Sequence, residues 1–209
     1  MIAIIDYGAG NLRSVQKACE AIGAQAIITS LPGEILKADH VILPGVGAFG
    51  DCMRRLEANN LPSILQEIIH RGTPFLGICL GMQLLFEESE ESPGVSGLGI
   101  LKGKIVKIPH INGFKIPHMG WNSLHFCKPC PLFAGLPCNP FVYFVHSYYM
   151  QPKDLSIIAA DTDYCGTLPV ALHQDNIFAV QFHPEKSGDI GLSMLKNFLL
   201  QERGDIHVG

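Results

Sequence analysis

The sequence predicts an α/β fold: an open, mostly parallel sheet flanked by helices, with antiparallel strands added in the second half. Three observations carry this. Short apolar runs alternate with segments of helical periodicity through the first half. One run, 74–78, is apolar throughout, as a strand buried on both faces of a parallel sheet must be. Between residues 98 and 180 the pattern changes to a succession of short β-like runs punctuated by Gly and Pro.

The first strand is Ile2-Ala3-Ile4-Ile5, ended by Asp6-Tyr7-Gly8-Ala9-Gly10. Asn11 stands where a helix N-cap belongs, Val15, Ala18, Cys19 and Ile22 follow helical spacing, and Gly23 ends the helix. Residues 26–29 and 40–43 read as the second and third strands, the latter closed by Pro44-Gly45-Val46-Gly47. Ile64, Leu65, Ile68 and Ile69 mark a helix stopped by Gly72, and 74–78 is the central fourth strand. In the second half, 104–108, 121–126, 141–145, 156–160, 169–173 and 177–181 read as antiparallel strands or hairpins added to the parallel core. Leu192, Leu195, Phe198 and Leu199 form a closing helix that packs back on the sheet. Right-handed crossovers join the parallel strands.

A chain of 209 residues fits a single domain, 1–209, with a core large enough to need no staples. It is 47% hydrophobic and only 16% charged, against about 25% in an average protein, which excludes a disordered chain. Fifteen Lys and Arg against 19 Asp and Glu give a net charge of −4 without a basic cluster, so no nucleic-acid footprint is expected. No apolar stretch is long enough to span a membrane, and the acidic Asp6 right after the first apolar run does not fit a signal peptide. Seven scattered cysteines predict free thiols and a cytoplasmic setting.

The chemistry concentrates at Gly77-Ile78-Cys79-Leu80-Gly81. An apolar strand runs through Gly-x-Cys-x-Gly into a helical pattern, which is a nucleophile elbow with Cys in place of Ser. A sharp strand-to-helix turn strains Cys79, and Gly77 and Gly81 let the helix approach the strand. The helix N-terminus beside the sulfur favours the thiolate, and the Leu80 N–H points to where a tetrahedral oxyanion forms. A thiolate needs a base, and the base needs an orienting group. Gln181-Phe182-His183-Pro184-Glu185 offers both: on an extended segment His183 and Glu185 point to one side, with Pro184 fixing the backbone between them. A buried structural cysteine and a surface His-Pro-Glu turn are the competing readings. Cys127-Lys128-Pro129-Cys130, with His125 and Cys138 nearby, raises a zinc site, against which stands the missing second Cys pair; no metal and no cofactor are expected.

Together these residues resemble the triad-type, class I glutamine amidotransferases. Asp6-Tyr7-Gly8-Ala9-Gly10-Asn11-Leu12, the Pro44–Gly50 loop and Pro117-His118-Met119-Gly120-Trp121-Asn122 narrow the resemblance to the glutaminase subunits of imidazole glycerol phosphate synthase. The resemblance runs from Met1 to the closing helix. It implies hydrolysis of glutamine to glutamate and ammonia, with Cys79 as nucleophile, His183 as base and then acid, and Glu185 as the orienting carboxylate. It implies that Gly45-Val46-Gly47 supplies a second oxyanion donor through Val46, and that Gln83, Ser147 and Tyr148 hold the substrate's amino-acid head. It also implies a (β/α)₈-barrel cyclase partner that uses the ammonia to make imidazole glycerol phosphate and aminoimidazole carboxamide ribonucleotide, met through Asn11, Met119, Trp121, Tyr143 and Lys186. A same-fold glutaminase serving another synthase, a stand-alone γ-glutamyl cysteine hydrolase and an inactive scaffold are the rival readings.

Overall fold

The computed structural model of the chain describes residues 1–204; residues 205–209 of the expected 1–209 domain lie outside the described residues. In chain order the first half comprises β1 (Ile2–Ile5), α1 (Leu12–Ala21), β2 (Ala26–Thr29), α2 (Pro32–Ile35), β3 (His40–Gly45), α3 (Phe49–Ala58), α4 (Leu61–His70), β4 (Phe75–Cys79) and α5 (Leu80–Gln83). There follow β5 (Glu88–Ser89), β6 (Gly103–Lys107), β7 (His118–Ser123), β8 (His125–Phe126), β9 (Phe141–His146), β10 (Tyr148–Pro152), β11 (Ile158–Asp163), β12 (Thr167–Gln174), β13 (Ile177–Val180) and α6 (Gly188–Leu199).

The main sheet has the order β2-β1-β3-β4-β13-β12-β11-β8. It is parallel from β2 through β13 and antiparallel from β13 to β8. Strand periodicity divides its side chains between two cores. Ile2 and Ile4 of β1 and Leu76 and Ile78 of β4 join Val15 and Cys19 of α1 and Leu195 and Phe198 of α6 on one face. Ala3, Ile5 and Phe75 join Phe49, Met53 and Leu56 of α3 and Leu65 and Ile68 of α4 on the other. This double coverage is why β1, β4 and β13 are apolar and buried along their whole length.

Several expectations are corrected. The run 177–181 is not an antiparallel addition: β13 lies parallel to β4, pairing Ile177 with Phe75 and Val180 with Ile78, and Gln181 lies beyond it. The short turn after β12 returns the chain against β4, so β13 joins the parallel and antiparallel halves. The run 121–126 divides at Leu124, whose N–H is taken by the Pro140 carbonyl at 3.0 Å; β7 pairs with β9 in a separate ribbon, and only β8 reaches the main sheet. β6 and β10 likewise form a second sheet with β5. In 156–160 the first residues make a 3₁₀ turn, Leu155–Ile157, because the Asp154 carboxylate accepts from the Ser156 N–H at 2.9 Å. Asn11 occupies the N-cap of α1, but its side chain makes no cap; its carbonyl accepts from Ser14 and Val15 instead. α3 was not anticipated, although Phe49, Cys52, Met53 and Leu56 are spaced as a helix requires.

Candidate active site

Three loops meet at the C-terminal edge of neighbouring parallel strands, the place where open α/β sheets bind ligands. In the ladder Gly45 lies opposite Cys79 and Val180 opposite Ile78. The pairing of β3, β4 and β13 therefore brings Gly45-Val46-Gly47, Cys79 and the segment leading to His183 together across wide sequence distances. They open on a cleft of about 430 Å³ whose walls include Cys79, His183, Gln83, Val46, Ser147 and Tyr148.

The elbow has the geometry its sequence implies. Cys79 has φ 55° and ψ −112°, a conformation that costs an L-residue on the order of 1–3 kcal/mol. A Cβ on Gly81 would stand 1.8 Å from the Leu43 carbonyl oxygen, so only glycine lets α5 leave β4 this tightly. The Leu80 N–H is the first of α5 and has no acceptor within the helix. The helix is only four residues long, so its macrodipole adds little at the sulfur.

His183 and Glu185 meet, by a different local route from the extended one expected. Pro184–Lys186 is a 3₁₀ turn, and across it His183 Nδ1 lies 2.8 Å from Glu185 Oε1, with side chains 2% and 1% exposed. The His183 N–H donates to the Tyr143 carbonyl at 3.0 Å, and the Ser187 hydroxyl donates to the His183 carbonyl at 2.7 Å. The backbone is thereby pinned to β9. Nε2 is left without a hydrogen-bond partner among the described residues. Burial pulls the imidazole pKa down, but the Cys79 sulfur and the Glu185 carboxylate outweigh it and push it up to about 10. The imidazolium is thus the favoured form at neutral pH.

This shift makes a stability prediction. An unfolded histidine titrates near 6.5, so the native state holds this proton more tightly. The resulting stabilisation is fully present below about pH 6.5 and is lost as pH rises through about 10. Urea unfolding of the wild type and of Glu185→Gln should show the largest stability gap near pH 6 and a gap that shrinks towards pH 11. A gap independent of pH would mean that Glu185 does not hold a charged ring.

A second histidine of the cleft, His146, is unsuited to this task. Its Nδ1–H donates to the Tyr148 carbonyl at 2.9 Å, so its Nε2 accepts from His118 Nδ1 at 2.9 Å. Burial keeps both rings neutral, pushing His146 down to about 3 and His118 to about 4.

Around Cys79 and along the cleft lie two residues, Gln181 and Glu91, that the sequence does not single out. The Gln181 amide donates to Cys79 Sγ at 3.5 Å and is fully buried. Gln83 Nε2 donates to Gln181 Oε1 at 3.0 Å and lies 3.4 Å from the Tyr148 carbonyl. Glu91 lines the cleft, one oxygen accepting the Phe49 N–H at 2.7 Å at the start of α3. Its signal was present in the acidic run 87–91, but such runs are ordinarily solvated surface.

The five residues assigned to a partner face fall into two groups. Met119 and Trp121 project from β7, 62% and 56% exposed. Trp121 lies edge-on to Tyr143 of β9 at 6.1 Å, and Lys186 Nζ stands 5.8 Å from the centre of the same ring. Asn11 begins α1, which packs against the turn carrying Lys186. Elsewhere, the Cys127 thiol points to Asp161 Oδ2 at 3.3 Å and is pushed up to about 11 by burial and that carboxylate. No group of three or more His, Cys, Asp or Glu side chains suited to a metal occurs among the described residues. Nor, among the described residues, is any helix long and apolar enough to cross a membrane.

The family model described as glutamine amidotransferase class-I matches residues 3–202. The imidazole glycerol phosphate synthase subunit HisH of Syntrophotalea carbinolica is 50% identical over 203 residues, covering 95% of this chain and 98% of that one. The subunits of the same name from Methanocaldococcus jannaschii and Bacillus cereus strain G9842 are 52% and 54% identical; each alignment covers 95% of this chain, and 98% and 93% of theirs. Among solved structures, a glutamine amidotransferase superposes with a TM-score of 0.74 at 18% identity, covering 96% of this chain and all 100% of that one. PurLQS from Thermotoga maritima gives 0.73 at 18% identity, covering 95% and 96%, which concerns the fold alone. The chain belongs to the class I glutamine amidotransferases and, within them, to the family of the glutaminase subunit HisH of imidazole glycerol phosphate synthase.

Proposed function

We propose that the chain, acting as one glutamine amidotransferase domain, hydrolyses glutamine through Cys79, His183 and Glu185 and hands the ammonia to a (β/α)₈-barrel cyclase subunit. The observation that carries the reading is the Cys79 elbow facing a buried His183–Glu185 pair at the end of β4 and β13. The Cys79 sulfur attacks the side-chain carboxamide of glutamine, forming a tetrahedral oxyanion against the Leu80 N–H and a donor from Gly45-Val46-Gly47. His183 gives a proton to the leaving nitrogen, and ammonia departs as a γ-glutamyl thioester forms. A water, deprotonated by His183 as Glu185 holds the ring, then attacks the thioester and releases glutamate.

The cleft suits a small amino acid. Gln83 spends its N–H groups on Tyr148 and Gln181, which leaves its oxygen for a substrate ammonium, and the second oxygen of Glu91 offers that ammonium a charge partner. Ser147 and Tyr148 complete the rim at the amino-acid head. On the partner side the cyclase uses the ammonia and a phosphoribulosyl-formimino-carboxamide ribonucleotide to form imidazole glycerol phosphate and aminoimidazole carboxamide ribonucleotide. The step belongs to histidine biosynthesis in the cytoplasm, and it needs neither cofactor nor metal on this chain.

The docking face is the β7–β9 ribbon with Met119, Trp121 and Tyr143, continued by Lys186 and Asn11. An exposed Trp packed against a Tyr beneath a Lys has the composition of an interface hot spot. Trp121→Ala should weaken binding to the barrel subunit by about 30-fold or more, the consequence of a hot-spot truncation. Titration calorimetry reads the affinity, and ammonium-driven cyclisation by the barrel alone serves as the control. Undiminished affinity would move the interface elsewhere; absence of any binding by the wild type would favour a stand-alone hydrolase.

A further inference from the structure

We propose that Gln181 is a positioning residue for the nucleophile: its side-chain amide N–H holds the Cys79 sulfur in the elbow and stabilises the negative charge it carries before attack. The inference rests on the glutaminase reading of this site and adds a group outside the Cys-His-Glu set. Gln181 directly follows β13, is 0% exposed, and points Nε2 at Cys79 Sγ from 3.5 Å. The His183 ring is close enough to the sulfur for Cys79 to raise its pKa, but its Nε2 does not meet hydrogen-bond geometry with any partner among the described residues. In this conformation the Gln181 amide is therefore the hydrogen-bond donor that meets the sulfur from a side chain.

The orientation of that amide is enforced. Gln181 Oε1 accepts from Gln83 Nε2 at 3.0 Å, and Gln83 Nε2 also faces the Tyr148 carbonyl at 3.4 Å. A carbonyl accepts only, so the Gln83 nitrogen must face Tyr148, and the oxygen of Gln181 must face Gln83. The nitrogen of Gln181 is thereby committed to Cys79. The same chain runs from the edge where the amino-acid head is held, Gln83 and Tyr148, to the reacting sulfur. A donor fixed in a dry site is worth more to an anion than to a neutral thiol. No proton is transferred by Gln181: the bond weakens when the sulfur becomes a neutral thioester and re-forms when glutamate leaves.

The test reads the sulfur directly, whether or not glutamine is the substrate. The full chain is alkylated with iodoacetamide across a pH series, and modification of Cys79 is quantified on its own peptide by mass spectrometry. Gln181→Met keeps the volume and removes the donor. Gln181→Glu keeps an acceptor for Gln83 and puts a carboxylate oxygen, which repels a thiolate, where the donor to the sulfur stood. Both variants should alkylate at Cys79 roughly ten-fold more slowly than wild type near neutral pH and at the wild-type rate at high pH, where the thiol is ionised in all three. With the barrel partner present, kcat should fall by a similar factor while KM for glutamine changes little in Gln181→Glu. A merely structural residue would slow or speed alkylation equally at all pH values. Superimposable profiles of wild type and either folded variant would overturn the proposal; loss of glutamine hydrolysis by the wild type, with the alkylation shift intact, would instead overturn the glutaminase reading.

Discussion

Cys79→Ala is expected to abolish glutamine hydrolysis by roughly 10⁴-fold or more, as removal of a covalent nucleophile does elsewhere. The loss should not come from unfolding. Alanine is no more strained than cysteine at φ 55°, and the sulfur it removes lines the cleft. Four of the other cysteines are poorly placed to substitute. Cys19 and Cys52 lie on helices on opposite faces of the sheet and are buried; Cys19 is pushed up to about 12 chiefly by that burial. Cys127 and Cys130 sit at the far, antiparallel end of the main sheet, and both are pushed up by burial. A glutamine-like electrophile should accordingly label Cys79 and leave the remaining six cysteines untouched. The barrel subunit, supplied with free ammonium, should continue to cyclise its substrate in complex with the variant, since only the ammonia source has been removed. Hydrolysis retained by Cys79→Ala, or label found on Cys127 or Cys130, would show that the nucleophile had been misassigned.

The sequence made the elbow legible because its demands are local. Gly81 is there to let Leu43 and α5 nearly touch, and such a constraint leaves its mark at a fixed distance from the nucleophile. The parallel half was legible for the same reason: β1 and β4 are buried on both faces, so every position is apolar. The second half resisted because its strands are short and their partners are set by chain returns rather than by composition. β13 reads like its antiparallel neighbours, and only its pairing with β4 reveals that it delivers His183 to Cys79. Gln181 and Glu91 were missed for a different reason. Each is placed at the cleft by a contact with residues far away in sequence, Gln181 with Gln83 and Cys79, and Glu91 with Phe49. Nothing in the residues beside them announces it.

The isolated chain should be a poor glutaminase, and Val46→Pro should keep even the full complex poor. On the proposed mechanism the elbow places the Leu80 N–H, and the second oxyanion donor would be the N–H of the peptide between Gly45 and Val46. That peptide lies between two tethers: the Tyr7 hydroxyl donates to the Pro44 carbonyl at 2.9 Å, and the Cys52 thiol donates to the Val46 carbonyl at 3.6 Å. Between them Gly45 has no room for a side chain, since a Cβ would stand 2.7 Å from the Gly81 nitrogen. Gly47, at φ +106°, takes up a conformation that ordinary residues avoid. The loop is thus held at both ends, with a single peptide between the tethers. A barrel partner carrying its nucleotide would activate by stabilising the form in which that peptide's N–H faces the oxyanion, which requires only that it bind that form more tightly. One oxyanion donor is worth about 10²–10³ in rate. Proline at position 46 has no N–H to present. Val46 is 43% exposed and lies beyond the end of β3, so the ring displaces no core side chain. The Val46→Pro complex should therefore lose about 10²–10³ of the partner-activated rate, with docking affinity retained. The decisive comparison is hydrolysis by the wild type alone, with partner, and with partner plus nucleotide. Equal rates in all three would remove the coupling altogether, and a Val46→Pro complex as active as wild type would place the second donor on another residue.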